Sequence, residues 1–165
     1  MIATTHLHPI IVHAPLALWV TVPVFYALAR RSAGSPRAGL YAAAGTLNLL
    51  LGTVASVMAV LSGLLAVSGL SVVGIAQGTL SRHIGWGVAT SFLYLCLTLV
   101  RAVGRPLADL PGRGMVVALC IATVPVIVTG YYGGQNVYRF GLGVDLVTAT
   151  ERALHPPSPP RIAPP

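Results

Sequence analysis

LYAAAGTLNLLLGTVASVMAVLSGLLA, Leu40 to Ala66, runs for 27 residues without a charged side chain. A helix rising about 1.5 Å per residue needs about 20 apolar residues to cross the roughly 30 Å hydrocarbon core of a bilayer, so this stretch is long enough to span one. Its small residues, Gly45, Gly52, Ser56, Ala59 and Gly63, include two pairs at four-residue spacing, which lets another helix approach closely. Thr46 and Asn48 sit among them, and an uncharged amide in lipid serves as hydrogen-bonding glue between helices. The segment reads as a central packing helix.

Three further runs have the same character: Ile10 to Ala29, His83 to Val100 and Gly114 to Tyr132. Arginine, glycine or proline closes each of them, without the alternation of a strand, and lipid admits only helices and closed barrels. A mean hydropathy of +0.82 with only 8% charged residues excludes an ordinary soluble domain. The sequence therefore predicts an all-α integral membrane four-helix bundle over residues 1–144. The remainder, 145–165, ends in HPPSPPRIAPP, six prolines in eleven residues, and is expected to be a disordered tail.

Ten arginines and no lysine set the net charge of +7, and in a membrane protein such a balance reports orientation rather than nucleic-acid binding. Arg30, Arg31 and Arg37 lie between the first two spans, and Arg101, Arg105 and Arg113 between the last two. The region before the first span has none, and the second connection has only Arg82. By the positive-inside rule both termini and the loop from Ser68 to Arg82 face outward; Arg139, Arg152 and Arg161 in the tail count against it. No basic region or cleavage site marks a signal peptide, so the first span is expected to be retained.

Pro15 and Pro23 in the first span and Pro125 in the fourth each remove a backbone donor, which a bundle tolerates. Trp86, Tyr131 and Tyr132 on one side and Tyr26 and Tyr41 on the other read as interfacial belts. Cys96 and Cys120 fall inside spans, with no Cys-x-x-Cys pair, and read as packing residues. The first two spans do not visibly recur in the last two, which argues against an inverted-repeat transporter.

Against this apolar background HLHPIIVHAP, His6 to Pro15, stands out: three of the five histidines begin the first span, and His83 begins the third on the same side. A histidine within hydrocarbon normally faces the protein interior and needs a partner for each ring nitrogen. One reading leaves His13 hydrogen-bonded to a helix carbonyl and His6 and His8 among lipid headgroups. The other has His13, or His8, and His83 ligating a metal centre between spans one and three. Two neutral imidazoles from facing helices suit b-type haem, with Gly85 and Gly87 allowing close approach. Copper or zinc would draw on His6, His8, His13 and His83, since such ions take three or four ligands. Arg82 or Arg139 would pair with a haem propionate. Asp109, Asp145 and Glu151 all lie outside the spans, so transport through buried acids has no support. An enzymatic role has none either, for no nucleophile adjoins a base and no carboxylate pair is buried.

The motifs HPIIVHAP, His8 to Pro15, and GGQNVYRFGLGV, Gly133 to Val144, resemble a family of small bacterial four-helix membrane proteins of unknown function. Members open with His-Pro and Val-His-x-Pro, carry a histidine at the start of the third span, and close with Gly-Gly-x-x-Val-Tyr-x-His-Gly-x-Gly-Val. Matching positions here are His8, Pro9, His13, Pro15, His83, Gly133, Gly134, Tyr138, Gly141 and Gly143; Phe140 stands where the family has histidine. The resemblance implies a place in the inner membrane, and the family's fusions to Rieske-type domains imply electron transfer near the outer face. Together with the histidines it yields the expectation of a haem b protein, with His13 and His83 as ligands, passing electrons between a quinone and an outer-side redox partner. The rival expectation is a non-catalytic subunit or assembly factor of a larger membrane complex. The closing glycines have a structural role of their own: Gly133 and Gly134 would end the fourth helix at positive φ, and Gly141 and Gly143 would permit a tight turn.

Overall fold

The computed structural model describes residues 4–68, 72 and 74–142, with the side chains of residues 4–6 outside that description. The expected disordered tail, Gly143 and the side chain of His6 lie outside the described residues. Helices α1 (Thr4–Ile11), α2 (His13–Arg31), α3 (Pro36–Val67), α4 (Ile75–Ala102) and α5 (Arg113–Gly134) follow one another, and a π-helical turn, Gln135–Arg139, continues α5. Four helical segments are long and apolar enough to cross a membrane: Leu7–Arg31, Pro36–Val67, Ile75–Ala102 and Arg113–Arg139. The all-α four-helix membrane bundle is the observed fold.

Helix α1 and helix α2 form one span interrupted at Val12. Pro15 has no N–H to give to Ile11, so the ladder loses a rung there, while Val12 N still reaches His8 O at 3.1 Å and Leu16 N reaches Val12 O at 3.4 Å. This span starts earlier than its uncharged run, at Leu7 rather than Ile10. That shift brings His8 inside the helix, which decides the site.

The spans form a ring. Helix α3 packs on α2 and α4, and α5 packs on α4 and α2, so α2 and α4 face each other across the centre. Only long side chains close that gap: Trp19 stacks on Tyr94 with ring centroids 3.9 Å apart. Beyond it Arg101 lies over the Tyr26 ring at 5.9 Å, and on the other side His8 meets His83. In each of these three layers the two partners stand 75 positions apart in the chain. Leu49 and Leu119, both fully buried, stand 70 apart, as do Ala59 and Thr129, and Gly63 and Gly133. The second hairpin thus repeats the first in the same direction. The sequence conceals this repeat because the offset changes from 75 to 70 between the two helices and only some pairs keep their residue type: His8 answers to His83 and Gly63 to Gly133, but Trp19 to Tyr94.

Large apolar side chains point outward and small or hydroxylated ones inward. Leu51, Val54, Leu61, Leu65, Ile121 and Ile127 are exposed, whereas Thr46, Thr53, Ser56, Thr90 and Thr98 are buried. In water this would be an aggregating surface; facing lipid it carries no penalty, and the interior gains from close backbones and interhelical hydrogen bonds. Those bonds are present. Asn48 Nδ2 donates to Thr21 Oγ1 at 2.9 Å, as expected of an amide acting as glue, and Thr53 and Thr98 join α3 to α4 through their hydroxyls at 2.8 Å. At Gly45 and Gly52 an added Cβ would come within 2.6 Å of the Tyr26 and Trp19 rings, so α2 lies on a track only glycine can supply.

Two local expectations are corrected. Tyr26 is fully buried and hydrogen-bonded to Thr46 Oγ1 at 3.0 Å, so it belongs to the core and not to an interfacial belt; Gly45 made room for it. Gly133 and Gly134 do not end the fourth helix at positive φ. Gly134 is helical at φ −60°, and the left-handed residue is Gly141 at φ +65°, where Gly141 N bonds Val137 O at 3.0 Å and Leu142 N bonds Asn136 O at 2.9 Å.

Candidate functional site

His8 reaches from α1 to α3, where its Nδ1–H donates to Ala59 O at 2.9 Å; Ser62 Oγ, itself bonded to Ala59 O, lies 3.3 Å from the same nitrogen. His83 makes the same contact one hairpin later, donating from α4 to Thr129 O of α5 at 3.0 Å. A carbonyl oxygen only accepts, so Nδ1 carries a proton in both rings, and Nε2 is the nitrogen open to ligation when the ring is neutral. The two ring centroids stand 6.0 Å apart with planes at 75°.

A helix carbonyl is normally occupied by the N–H four residues on and covered by that residue's side chain, because helical side chains lean toward the N-terminus. Four residues after Ala59 is Gly63, and four after Thr129 is Gly133. A Cβ on Gly63 would lie 2.9 Å from His8 Cε1, and one on Gly133 would lie 3.0 Å from His83 Cε1. Each glycine uncovers one carbonyl and leaves a notch for one imidazole. The glycine pattern was visible in the sequence; its assignment to histidines was not.

His13 stands elsewhere. It is exposed, and its Nδ1–H bonds Pro9 O of its own span at 2.6 Å. The structure pairs His83 with His8 and leaves the His13 side chain exposed, so His8 takes the place beside His83 that the expectation gives to His13. Gly85 faces open space and Gly87 makes an ordinary contact with Thr129 at 3.6 Å, so neither provides the close approach expected beside His83. Arg82 and Arg139 are both exposed, the latter lying over the Phe140 ring at 5.4 Å. Among the described residues no group of three or more His, Cys, Asp or Glu side chains comes together, and Cys96 and Cys120 face outward.

Sequence reasoning passed over Asn136. It sits in the π-helical turn that packs on α4, only 5% exposed, and its Oδ1 has no partner. Its signal was an amide directly after an apolar span, at a position the closing motif leaves free.

Burial and span lengths define a multi-pass helical membrane protein, in which His8 and His83 stand together at one end of the axis. Comparison with known families gives the same class: the chain belongs to the family described as predicted membrane protein (DUF2231), matched over residues 4–146. Neither the curated proteins nor the solved structures yield a match.

Proposed function

We propose that this chain is an electron-transfer protein of the inner membrane, alone or as a subunit of a larger complex, holding b-type haem between His8 and His83 near the outer face. The observation that carries the reading is the identical anchoring of both imidazoles, Nδ1 to a backbone carbonyl and Nε2 left open to ligation, which is how ligating histidines are oriented. His8 and His83, with ring centroids 6.0 Å apart, are the residues that would hold the iron. Bound haem would supply a one-electron centre. The protein's own part is to hold both rings by Nδ1, to surround them with apolar helices, and to offer Arg82 and Arg139 as partners for propionates at the exposed rim. A quinone and an outer-side redox protein are the partners this reading implies.

A copper or zinc site is the weaker alternative, since two described ligands fall short of the three or four such ions take. The non-catalytic alternative has one observation in its favour: the two histidine bonds already tie helix ends together without any cofactor. A dithionite-reduced minus air-oxidised spectrum of the detergent-purified protein, with iron, copper and zinc analysis, separates the three. A sharp alpha band with about one iron per chain is expected, lost in His8→Ala and His83→Ala and kept in His13→Ala. Stoichiometric metal without a Soret band would move the assignment to copper or zinc. A colourless, metal-free protein from cells that supply haem would overturn the proposal, as would a His83→Ala variant with full haem.

A further inference from the structure

The opposite end of the axis holds a buried cation with no counter-ion among the described residues. Arg101, in the last turn of α4, is 2% exposed. Its Nη1 donates to Pro106 O at 3.3 Å and its Nη2 to Pro106, Leu107 and Asp109 O at 3.4, 2.9 and 2.9 Å, while Nε has no partner. All of these acceptors are neutral backbone carbonyls; the carboxylate of the exposed Asp109 is not among them. Carbonyls take hydrogens of the two Nη atoms and the Tyr26 ring lies 5.9 Å away, but neither carries a negative charge to offset the guanidinium in a region of low dielectric.

Beside Arg101 opens a cavity of about 250 Å³. Arg101 and Arg105 line it together with Asp109 and with Gly112, Gly114 and Met115 at the start of α5. That helix start has no side-chain cap, and only from Met115 onward do its N–H groups bond backwards, to Gly112 O at 3.1 Å for Met115 and 3.3 Å for Val116. The N–H groups ahead of Met115 have no helical acceptor, and the glycines keep them uncovered. A buried charge, a second arginine and an uncapped helix start thus surround one space.

We propose that this cavity binds a phosphate group, as the headgroup of an anionic lipid or as free phosphate. A phosphate carries enough acceptor oxygens to meet Arg105 and the first N–H groups of α5 together, and its charge offsets Arg101 across the cavity wall. The site is independent of the histidine pair at the other end.

The test uses the full chain in mild detergent, with thermal midpoint and native mass spectrometry as readouts. Phosphatidylglycerol is compared with phosphatidylcholine for the lipid source, and inorganic phosphate with sodium chloride at equal ionic strength for the free one. One of the two phosphate sources should raise the midpoint and remain bound. Arg105→Gln should weaken that binding about tenfold, the loss of one charge-assisted hydrogen bond, and Asp109→Asn should strengthen it. Arg37→Gln, an exposed arginine outside the cavity, should leave it unchanged. Because Arg101→Gln removes a folding contact, the decision rests on the exposed positions. No response to either phosphate source would overturn the proposal. Equal weakening by Arg105→Gln and Arg37→Gln would also overturn it, since general attraction to a basic surface predicts that result.

Discussion

A carbonyl that already accepts one hydrogen within its helix can take a second only where the covering side chain is missing. Gly63 and Gly133 meet that condition for Ala59 and Thr129, so the histidine anchors depend on atoms that are absent. Gly63→Ala and Gly133→Ala are expected to push the His8 and His83 rings off their carbonyls and to cost about 1–3 kcal/mol each, the range for overpacking a tight contact. His13→Ala, on an exposed ring with a local bond, should stay within about 0.5 kcal/mol. Unfolding in detergent by denaturant, followed by circular dichroism, checks both; an unperturbed Gly133→Ala would refute the notch. Haem content of the same variants reports separately on ligation. At this scale the sequence announced that histidines gathered at one end, yet it favoured His13 over His8. The reason is physical: hydropathy shows where a run becomes apolar, while the helix starts a turn earlier, and that turn sets which ring faces inward.

Among the elements, a hydroxyl pair joins the two hairpins beside the ring contacts across the centre, in a setting where equal hydrophobicity on both sides gives helices no solvent-driven reason to associate. Thr53 and Thr98 link α3 to α4, and each hydroxyl also bonds a carbonyl in its own helix, Leu49 O at 2.9 Å and Tyr94 O at 2.7 Å. Those local bonds survive loss of the partner, so the coupling is modest. A double-mutant cycle with Thr53→Val and Thr98→Val should return about 0.6 kcal/mol, and a value above about 1.7 kcal/mol would contradict this account. All four spans were legible because lipid selects for length and absence of charge. Their inward faces were harder to read, since the interior mixes threonine and serine with a few large side chains such as Leu49, Leu119 and Tyr94, while equally apolar residues face outward. Gly45 and Gly52 should respond more sharply than the hydroxyls: alanine at either meets a ring within 2.6 Å, that of the buried Tyr26 or Trp19, with no space to retreat. The closing glycines misled for a related reason. Glycine ends helices in water, but a bundle in lipid keeps its backbone bonded, and here the helix passes through Gly133 and Gly134 into the π-helical turn.

For the whole molecule, the bundle gathers Arg30, Arg31, Arg37, Arg101, Arg105 and Arg113 at the end opposite the histidines, where only Arg82 and Arg139 stand among the described residues. Two of the six are engaged in folding that end: Arg101 holds the 103–112 loop through three of its carbonyls, and Arg30 Nη1 bonds Pro111 O at 2.7 Å. The other four are exposed, and they suffice for a majority over the histidine end. Orientation therefore predicts accessibility. In a background where the outward-facing Cys96 and Cys120 are replaced by serine, Val72→Cys should react with a membrane-impermeant maleimide in intact cells, and Ser35→Cys, in the loop between α2 and α3, should react only after lysis. Reversing the arginine balance, by replacing Arg31, Arg37, Arg105 and Arg113 with glutamine, should erode that difference while leaving Arg30 and Arg101 to hold the loop. The opposite labelling pattern in the unaltered arginine background would put the histidine pair on the cytoplasmic side. An outer redox partner would then have no access to it, and the phosphate site would face the outer leaflet, so this one topology measurement bears on both ends of the axis at once.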